Sequence, residues 1–370
     1  MKILIAANTS WYIFNFRSNL IAALINQGHT VETIAINDSY TERLIKNGVS
    51  QHHALKMDKS GTNPFAEFFV LFKIFRILRK NRPDIIFSYT PKINIYVSLA
   101  ARFLKIPAAV NISGLGSSFI SGGFLKKFTL MLYRFSIKKV LKVFFQNTDD
   151  MAFFVENGFV SADISERLPG SGVDLQKFKC DRICTERDKT VFLLSARLLW
   201  GKGIKEYIDA ARIIKTKFPN TEFQIAGFID SANPSSVPES EIKQWVDEGV
   251  INYLGSTDDI KSFYSNVDCV VLPSYYGEGV PRSLLEAASM SLPIITTDSV
   301  GCRDTVDDGK TGFLCKAKDT ADLAEKMEFF LKMSFEERIE IGKAGRLKME
   351  REFDENIVIS KYLTLLDDIR

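Results

Sequence analysis

Short apolar runs alternate with amphipathic stretches along the whole chain. Lys2–Ala7, Thr30–Ile36, Asp84–Ser88, Ala108–Ile112 and Val143–Gln146 are largely apolar runs of strand length, the pattern of strands buried on both faces. Between them, Phe16–Gln27 and Thr41–Asn47 read as helices ended by Gly28 and Gly48, and Tyr96–Leu104 as a third helix. The second half repeats the pattern. Thr190–Ser195, Glu222–Ala226, Cys269–Leu272 and Ile294–Thr297 read as strands, and Lys205–Lys217, Ser283–Met290 and Ala321–Met333 as helices. Such alternation predicts parallel sheets covered by helices on both faces, an α/β fold of two Rossmann-like units in tandem. Pro, Gly and charged residues cluster between Arg167 and Asp188, which places the linker there. The expected domains are 1–166 and 167–352, with a last helix over 353–370.

Length agrees with two domains of ordinary size, and 46% apolar with 25% charged residues is the balance of a globular enzyme. No uninterrupted apolar run reaches the roughly 18 residues of a membrane span. Met1–Ala7 reads as a buried strand rather than a signal peptide. The five cysteines, Cys180, Cys184, Cys269, Cys302 and Cys315, form no Cys-x-x-Cys pair, which points to a reducing cytoplasm and no structural zinc.

Charge changes the picture. Residues 1–180 hold 23 Lys and Arg against 12 Asp and Glu, a balance of +11; the remainder holds 25 against 33, a balance of −8. The two halves therefore meet different partners, and the basic half suits nucleic acid or an anionic membrane surface.

The candidate chemistry sits in Glu278-Gly279-Val280-Pro281-Arg282-Ser283-Leu284-Leu285-Glu286. Gly279 and Pro281 mark a turn, and a helix follows whose first N–H groups form a ready anion site. A carboxylate on the loop before it can accept from sugar hydroxyls, and one two turns along can reach a ribose. That combination suits a nucleotide-activated sugar. The context is Leu272-Pro273-Ser274 before it, then Pro293-Ile294-Ile295, Gly301-Cys302-Arg303-Asp304 and Asp308-Gly309-Lys310-Thr311-Gly312-Phe313 after it.

With that context the segment resembles the Glu-x7-Glu region of retaining glycosyltransferases of the GT-B fold, family 4-like. Pro169-Gly170-Ser171-Gly172-Val173-Asp174 with Phe178 resembles the family's interdomain signature. Ser195-Ala196-Arg197-Leu198-Leu199-Trp200-Gly201-Lys202-Gly203 resembles its diphosphate-binding motif. The resemblance implies two domains facing a central cleft and a C-terminal helix that returns to the first. It also implies a UDP-sugar as donor.

In these terms Arg197 and Lys202 neutralise the leaving diphosphate, Arg197 through a planar fork and Lys202 as a point charge. The chain contains no Asp-x-Asp, so no metal and no other cofactor is expected. The resemblance places Glu278 on the donor sugar and Glu286 on the ribose. It brings the turn Gly279-Val280-Pro281 to the β-phosphate or sugar, with the backbone N–H groups of Gly279 and Val280 as donors. Gly227 and Gly255 follow strands or loops near the base.

The first half departs from the family. The turn after the first strand is Asn8-Thr9-Ser10-Trp11-Tyr12 without a Gly-Gly, and no His follows the fifth strand; the three His are His29, His52 and His53. Same-face substitution needs no strong protein base, because the departing phosphate takes the acceptor proton. Arg17 after Phe14-Asn15-Phe16, Lys59-Ser60-Gly61-Thr62-Asn63-Pro64-Phe65 and Gly114-Leu115-Gly116-Ser117 resemble a subgroup: the α-1,3-N-acetylgalactosaminyltransferases that act on undecaprenyl-diphosphate-linked saccharides. The subgroup implies acceptor contacts at Arg17, Ser113, Gly114 and Gly116. It also implies an anionic membrane surface as partner in place of nucleic acid, at the cytoplasmic face of the cell membrane.

Two stretches are placed to touch such a surface. Phe65–Lys80 sets Phe65, Phe68, Phe69, Phe72 and Phe75 at helical spacing with Lys73, Arg76 and Lys80. Phe124–Val143 carries Lys126, Lys127, Arg134, Lys138, Lys139 and Lys142. Either also reads as an ordinary core-covering helix. The expected activity is retaining transfer of a hexose or N-acetylhexosamine, GalNAc-like favoured, to a polyprenyl-diphosphate-linked saccharide. The alternatives are an enzyme like the UDP-N-acetylglucosamine 2-epimerases and a non-catalytic membrane binder.

Overall fold

The computed structural model describes residues 1–58, 63–114, 123–179, 186–231 and 233–369. The chain forms two compact units, Met1–Ser171 with Val358–Arg370, and Gly172–Ile357.

The first unit is built on seven parallel strands: β1 (Lys2–Thr9), β2 (Thr30–Ile36), β3 (Gln51–Leu55), β4 (Ile85–Tyr89), β5 (Ala108–Ile112), β6 (Lys142–Phe145) and β7 (Ser165–Arg167). Their order is β3-β2-β1-β4-β5-β6-β7. Successive side chains of β1 enter opposite cores. Ile3 and Ile5 join Leu20 and Leu24 of the helix Ser10–Asn26, whereas Leu4 and Ala6 join Val70, Ile74 and Leu78 of the helix Pro64–Asn81.

The final helix, Glu355–Asp367, puts Val358, Tyr362, Leu365 and Leu366 into the first of these cores. Tyr362 lies with its ring centroid 4.8 Å from Phe87 and 4.9 Å from Phe144, and its hydroxyl accepts from Asn111 Nδ2 at 3.2 Å. An aromatic side chain buried this way needs a partner for its hydroxyl, and Asn111 supplies it.

The structure moves several boundaries. The expected turn Asn8–Tyr12 is the end of β1 and the start of a helix. Thr9 Oγ1 accepts from Tyr12 N at 3.1 Å and caps that helix, a local contact that apolar spacing does not reveal. The helix expected from Tyr96 begins at Pro91, a residue suited to a first helical turn. β3 goes unmarked in the pattern because it reads Gln-His-His-Ala-Leu at a sheet edge. There His53 Nε2 meets Glu32 Oε2 at 2.9 Å and His52 Nδ1 meets Thr33 Oγ1 at 2.8 Å, so both imidazoles bond the neighbouring strand. The domain edge expected at 166/167 falls inside β7, which pairs with β6 through Ser165, Glu166 and Arg167. The compact unit ends at Ser171, and residues 353–357 stay with the second unit.

The second unit carries six parallel strands: β8 (Thr190–Ser195), β9 (Thr221–Ala226), β10 (Asn252–Tyr253), β11 (Cys269–Leu272), β12 (Ile294–Thr297) and β13 (Gly312–Cys315). Their order is β10-β9-β8-β11-β12-β13. Helices Ile204–Lys217 and Thr320–Lys332 cover one face around Phe192, Phe223 and Phe330. Helix Arg282–Ser289 covers the other through Leu284 and Leu285 against Leu193 and Val270. Strand order reverses between β1 and β4 in one sheet and between β8 and β11 in the other. Open α/β sheets hold ligands outside the carboxyl ends of strands at such points. Among the described residues, no helix is long and apolar enough to cross a membrane.

Candidate active site

The loops after β8 and β11 meet at the switch point of the second sheet. After β8 the chain turns through a short 3-10 segment, Trp200–Lys202, into the helix that starts at Ile204. Gly203 makes the turn at φ +77°, and a Cβ there would lie 2.1 Å from Pro273 O. Only glycine lets this loop close on the one after β11. Tyr275 N donates to Gly201 O at 2.9 Å and fastens the two loops together.

That closure buries Lys202 beside Glu278. The Lys202 ammonium donates to Glu278 Oε1, and Ser274 Oγ donates to the same oxygen at 3.0 Å. Lys202 Nζ also lies 5.3 Å from the centroid of Tyr276. The lysine has three N–H donors, and only one is used by Glu278. Ser274 is held from below: its carbonyl accepts from Thr297 Oγ1 and, at 2.9 Å, from Ser299 Oγ. A cation, a hydroxyl and a carboxylate therefore converge at the carboxyl ends of β8 and β11.

Arg197 stands on the same β8 loop and is exposed. Its guanidinium has no hydrogen bond or ion pair among the described residues. Gly227, after β9, packs against this loop: a Cβ there would lie 1.8 Å from Ala196 O. Gly227 N donates to Gly255 O at 2.8 Å, so the two glycines expected near the base are in direct contact.

The helix after the Glu278 loop runs Arg282–Ser289, one residue earlier than expected. Pro281 precedes it in extended conformation and no side chain caps its N-terminus. Gly279 and Val280 lie between Glu278 and this N-terminus, and Val280 is buried. Glu286 faces back along the helix, and Arg282 Nε donates to Glu286 Oε1 at 2.9 Å. Burial pushes the Glu286 carboxyl above the usual carboxylate range, and the charges of Arg282 and Lys177 oppose that shift. Buried Cys302 lies near the Ser274 carbonyl. Burial and the charge of Glu278 push its thiol up to about 11, so it is neutral near pH 7 and serves packing.

In the first unit, Arg17 is only 2% exposed, with its guanidinium carbon 4.2 Å from the Tyr89 ring centroid. Ser113 and Gly114 follow β5, Gly114 at φ +93°. Gly116 lies outside the described residues, as do Cys180, Cys184 and the stretch 59–62. Sequence reasoning gave no role to Ser274 or Arg282. Ser274 stands two residues past the end of β11 at the switch point, and Arg282 stands four residues before Glu286 on a helix.

Comparison with known proteins adds to this geometry. Residues 2–147 match the family model described as glycosyl transferase 4-like, and residues 181–348 match glycosyl transferases group 1. The chain is 30% identical over 386 aligned positions to the N,N'-diacetylbacillosaminyl-diphospho-undecaprenol alpha-1,3-N-acetylgalactosaminyltransferase of Campylobacter jejuni, covering 100% of this chain and 99% of that one. It is 25% identical over 264 positions to the UDP-Gal:alpha-D-GlcNAc-diphosphoundecaprenol alpha-1,3-galactosyltransferase of Escherichia coli, covering 67% of this chain and 66% of that one. Among solved structures, Anabaena Alr3699/HepE in complex with UDP and glucose superposes with a TM-score of 0.81 at 16% identity over 100% of both chains.

Proposed function

From the premise that this chain belongs to the group 1, 4-like glycosyltransferases and has their two-domain GT-B fold, we propose that it moves a sugar from a UDP-sugar to a polyprenyl-diphosphate-linked saccharide with retention. The sugar is a hexose or N-acetylhexosamine, with an N-acetylgalactosamine-like donor favoured. The observation that carries the reading is the meeting of Lys202, Ser274 and Glu278 at the second sheet's switch point, where the β8 loop also carries Arg197, whose guanidinium has no partner among the described residues. The relatives from C. jejuni and E. coli, named for diphospho-undecaprenol substrates, support the acceptor class.

In this reading the acceptor hydroxyl attacks the anomeric carbon on the face from which the diphosphate departs. The bond between that carbon and the diphosphate oxygen breaks, and the β-phosphate takes the acceptor proton. UDP leaves, and the new bond keeps the donor's configuration. Lys202 and Arg197 offset the negative charge that grows on the diphosphate, while Glu278 accepts from sugar hydroxyls. Purified protein is to be tested with a panel of UDP-sugars and a lipid-diphosphate saccharide, and the product's anomeric configuration read by NMR. Transfer with retention is expected. Isomerisation of a UDP-sugar without acceptor would replace this reading with the epimerase one.

Activity is expected without a divalent metal, because fixed cations stand where the leaving charge develops. Turnover should be unchanged by EDTA. Loss with EDTA and recovery with Mn2+ would refute this.

The acceptor's lipid implies work at a membrane surface, and the first unit has a face suited to it. Helix Pro64–Asn81 turns Val70, Ile74 and Leu78 to the core and leaves Phe65, Phe68 and Phe69 respectively 80%, 62% and 67% exposed. The helix covers the core with its Val70, Ile74 and Leu78 face, and burying each exposed ring against a partner surface would gain about 1.5–3 kcal/mol. Lys73, Arg76 and Lys80 are exposed on the same helix, and Lys138 and Lys139 are exposed after the helix Gly123–Ser136. The side chains of Lys126 and Lys127 lie outside the described residues. The protein should bind anionic vesicles, and less as salt rises, since the Debye length falls from about 10 Å at 0.1 M to about 3 Å at 1 M. Neutralising Lys73, Arg76, Lys80, Lys138 and Lys139 should lower activity on a long-chain acceptor and spare a short soluble one. Equal loss on both would count against the dock.

A further inference from the structure

Arg282 opposes two local rules of helix electrostatics. It is the first residue of the helix Arg282–Ser289, where the macrodipole disfavours a cation. It also stands N-terminal to its carboxylate partner, the weaker orientation for an i,i+4 pair. An ion pair kept for helix stability would be arranged the other way round. Yet the pair is well sheltered: Arg282 and Glu286 side chains are 18% and 14% exposed.

We propose that Arg282 is a positioning residue for the donor nucleotide, holding the Glu286 carboxylate by one oxygen so that the other meets the vicinal diol of the ribose. The proposal rests on the ribose role of Glu286 in the preceding reading. Arg282 Nε takes Oε1 at 2.9 Å, and Oε2 has no hydrogen bond among the described residues. A carboxylate anchored through one oxygen has already lost its rotamer freedom before the ligand arrives, so less is lost on binding.

The surrounding elements fix this arrangement. From the helix Ile260–Tyr264, the buried Tyr264 hydroxyl donates to Ser283 O at 3.1 Å and pins the helix's first turn. From the segment Asp174–Phe178, Lys177 adds a second positive charge near Glu286. That segment is itself tied down: Asp174 Oδ1 accepts from Lys177 N at 2.8 Å, and Arg346 Nη1 donates to Phe178 O at 3.0 Å and Ser289 O at 2.8 Å. The groups facing Glu286 are thus Arg282, Lys177 and the Tyr264 phenol. Burial already favours the protonated acid, and removing Arg282 takes away the larger of the two opposing charges. Its carboxyl then titrates at higher pH than in the wild type. Binding that needs the carboxylate should therefore fail progressively as pH falls, and fail earlier in the variant.

Calorimetric titration of UDP and of uridine into the wild type, Arg282→Met, Arg282→Lys, Glu286→Gln and Arg282→Met/Glu286→Gln tests this. Arg282→Met should weaken both ligands about tenfold near neutral pH, the scale of a lost hydrogen bond to a charged group. The loss should grow in acid and shrink in alkali, and Arg282→Lys should recover most of it. In turnover assays KM for the donor should carry the loss, with kcat at saturation nearly unchanged. In the double variant, adding Arg282→Met to Glu286→Gln should cost little more, because the two groups act as one. This comparison holds even where the single Met variant folds poorly, since the double variant leaves no sheltered carboxylate without its arginine. Weak binding by Glu286→Gln with wild-type binding by Arg282→Met would overturn the positioning role alone. A loss for UDP but not uridine would also overturn it, since Arg282 would then be a phosphate ligand. Wild-type binding by Glu286→Gln would overturn the ribose role, and the inference with it.

Discussion

Replacing Lys202 by Ala is expected to lower turnover by about 100-fold or more, and Arg197→Ala to do the same, the scale of losing one preorganised electrostatic stabiliser. The two variants should differ in stability. Lys202 is buried against Glu278, so its removal strands a carboxylate that is only 12% exposed, at a cost of about 1–3 kcal/mol. Arg197 is exposed and bonds nothing among the described residues, so Arg197→Ala should melt within about 0.5 kcal/mol of the wild type. Single-turnover kinetics with saturating UDP-sugar, paired with thermal melts, reads both quantities. A variant that loses rate without losing stability, as expected for Arg197, isolates the chemical role from folding. Near wild-type turnover in both variants would remove the pair from the diphosphate site.

Glu278→Gln is expected to cut turnover by about 100-fold while UDP affinity stays near that of the wild type. The amide keeps the size and the acceptor oxygen for Ser274 Oγ and Lys202, so the loop should hold its shape. What disappears is the negative charge beside the reacting sugar, where charge changes between ground and transition states. UDP carries no sugar, and its affinity should not register the change. Titration of UDP alongside kcat gives the test. A loss of UDP affinity that matches the loss of kcat would place Glu278 on the nucleotide instead.

Much of the fold is legible in the chain. β2, β5, β8, β11 and β12 fall on the residues that apolar runs mark, because a strand buried on both faces has to be apolar along its length. The elements that escape are those whose reason is local or edge-bound. β3 is polar because it lies at a sheet edge, and β10 is two residues long. The helix Ser10–Asn26 starts where a threonine hydroxyl caps it, which apolar spacing does not register. The row of phenylalanines in Pro64–Asn81 has helical spacing, but spacing does not say which face meets the core. Val70, Ile74 and Leu78 took that face, and four of the rings, Phe65, Phe68, Phe69 and Phe72, were left outside.

The candidate site divides along the same line. The family resemblance singles out Arg197, Lys202, Glu278 and Glu286 as candidates in the sequence, and their order places them after particular strands. Pairing was decided only in three dimensions. Lys202 and Glu278 are 76 residues apart and meet because β8 and β11 are neighbours and Gly203 lets their loops close. Ser274 gains its part from the same closure. Arg282 is four residues from Glu286, but the role proposed for it depends on burial beside Tyr264 and the Asp174–Phe178 segment. Burial and partner choice are properties of strand order and loop contact, and no short window of sequence carries them.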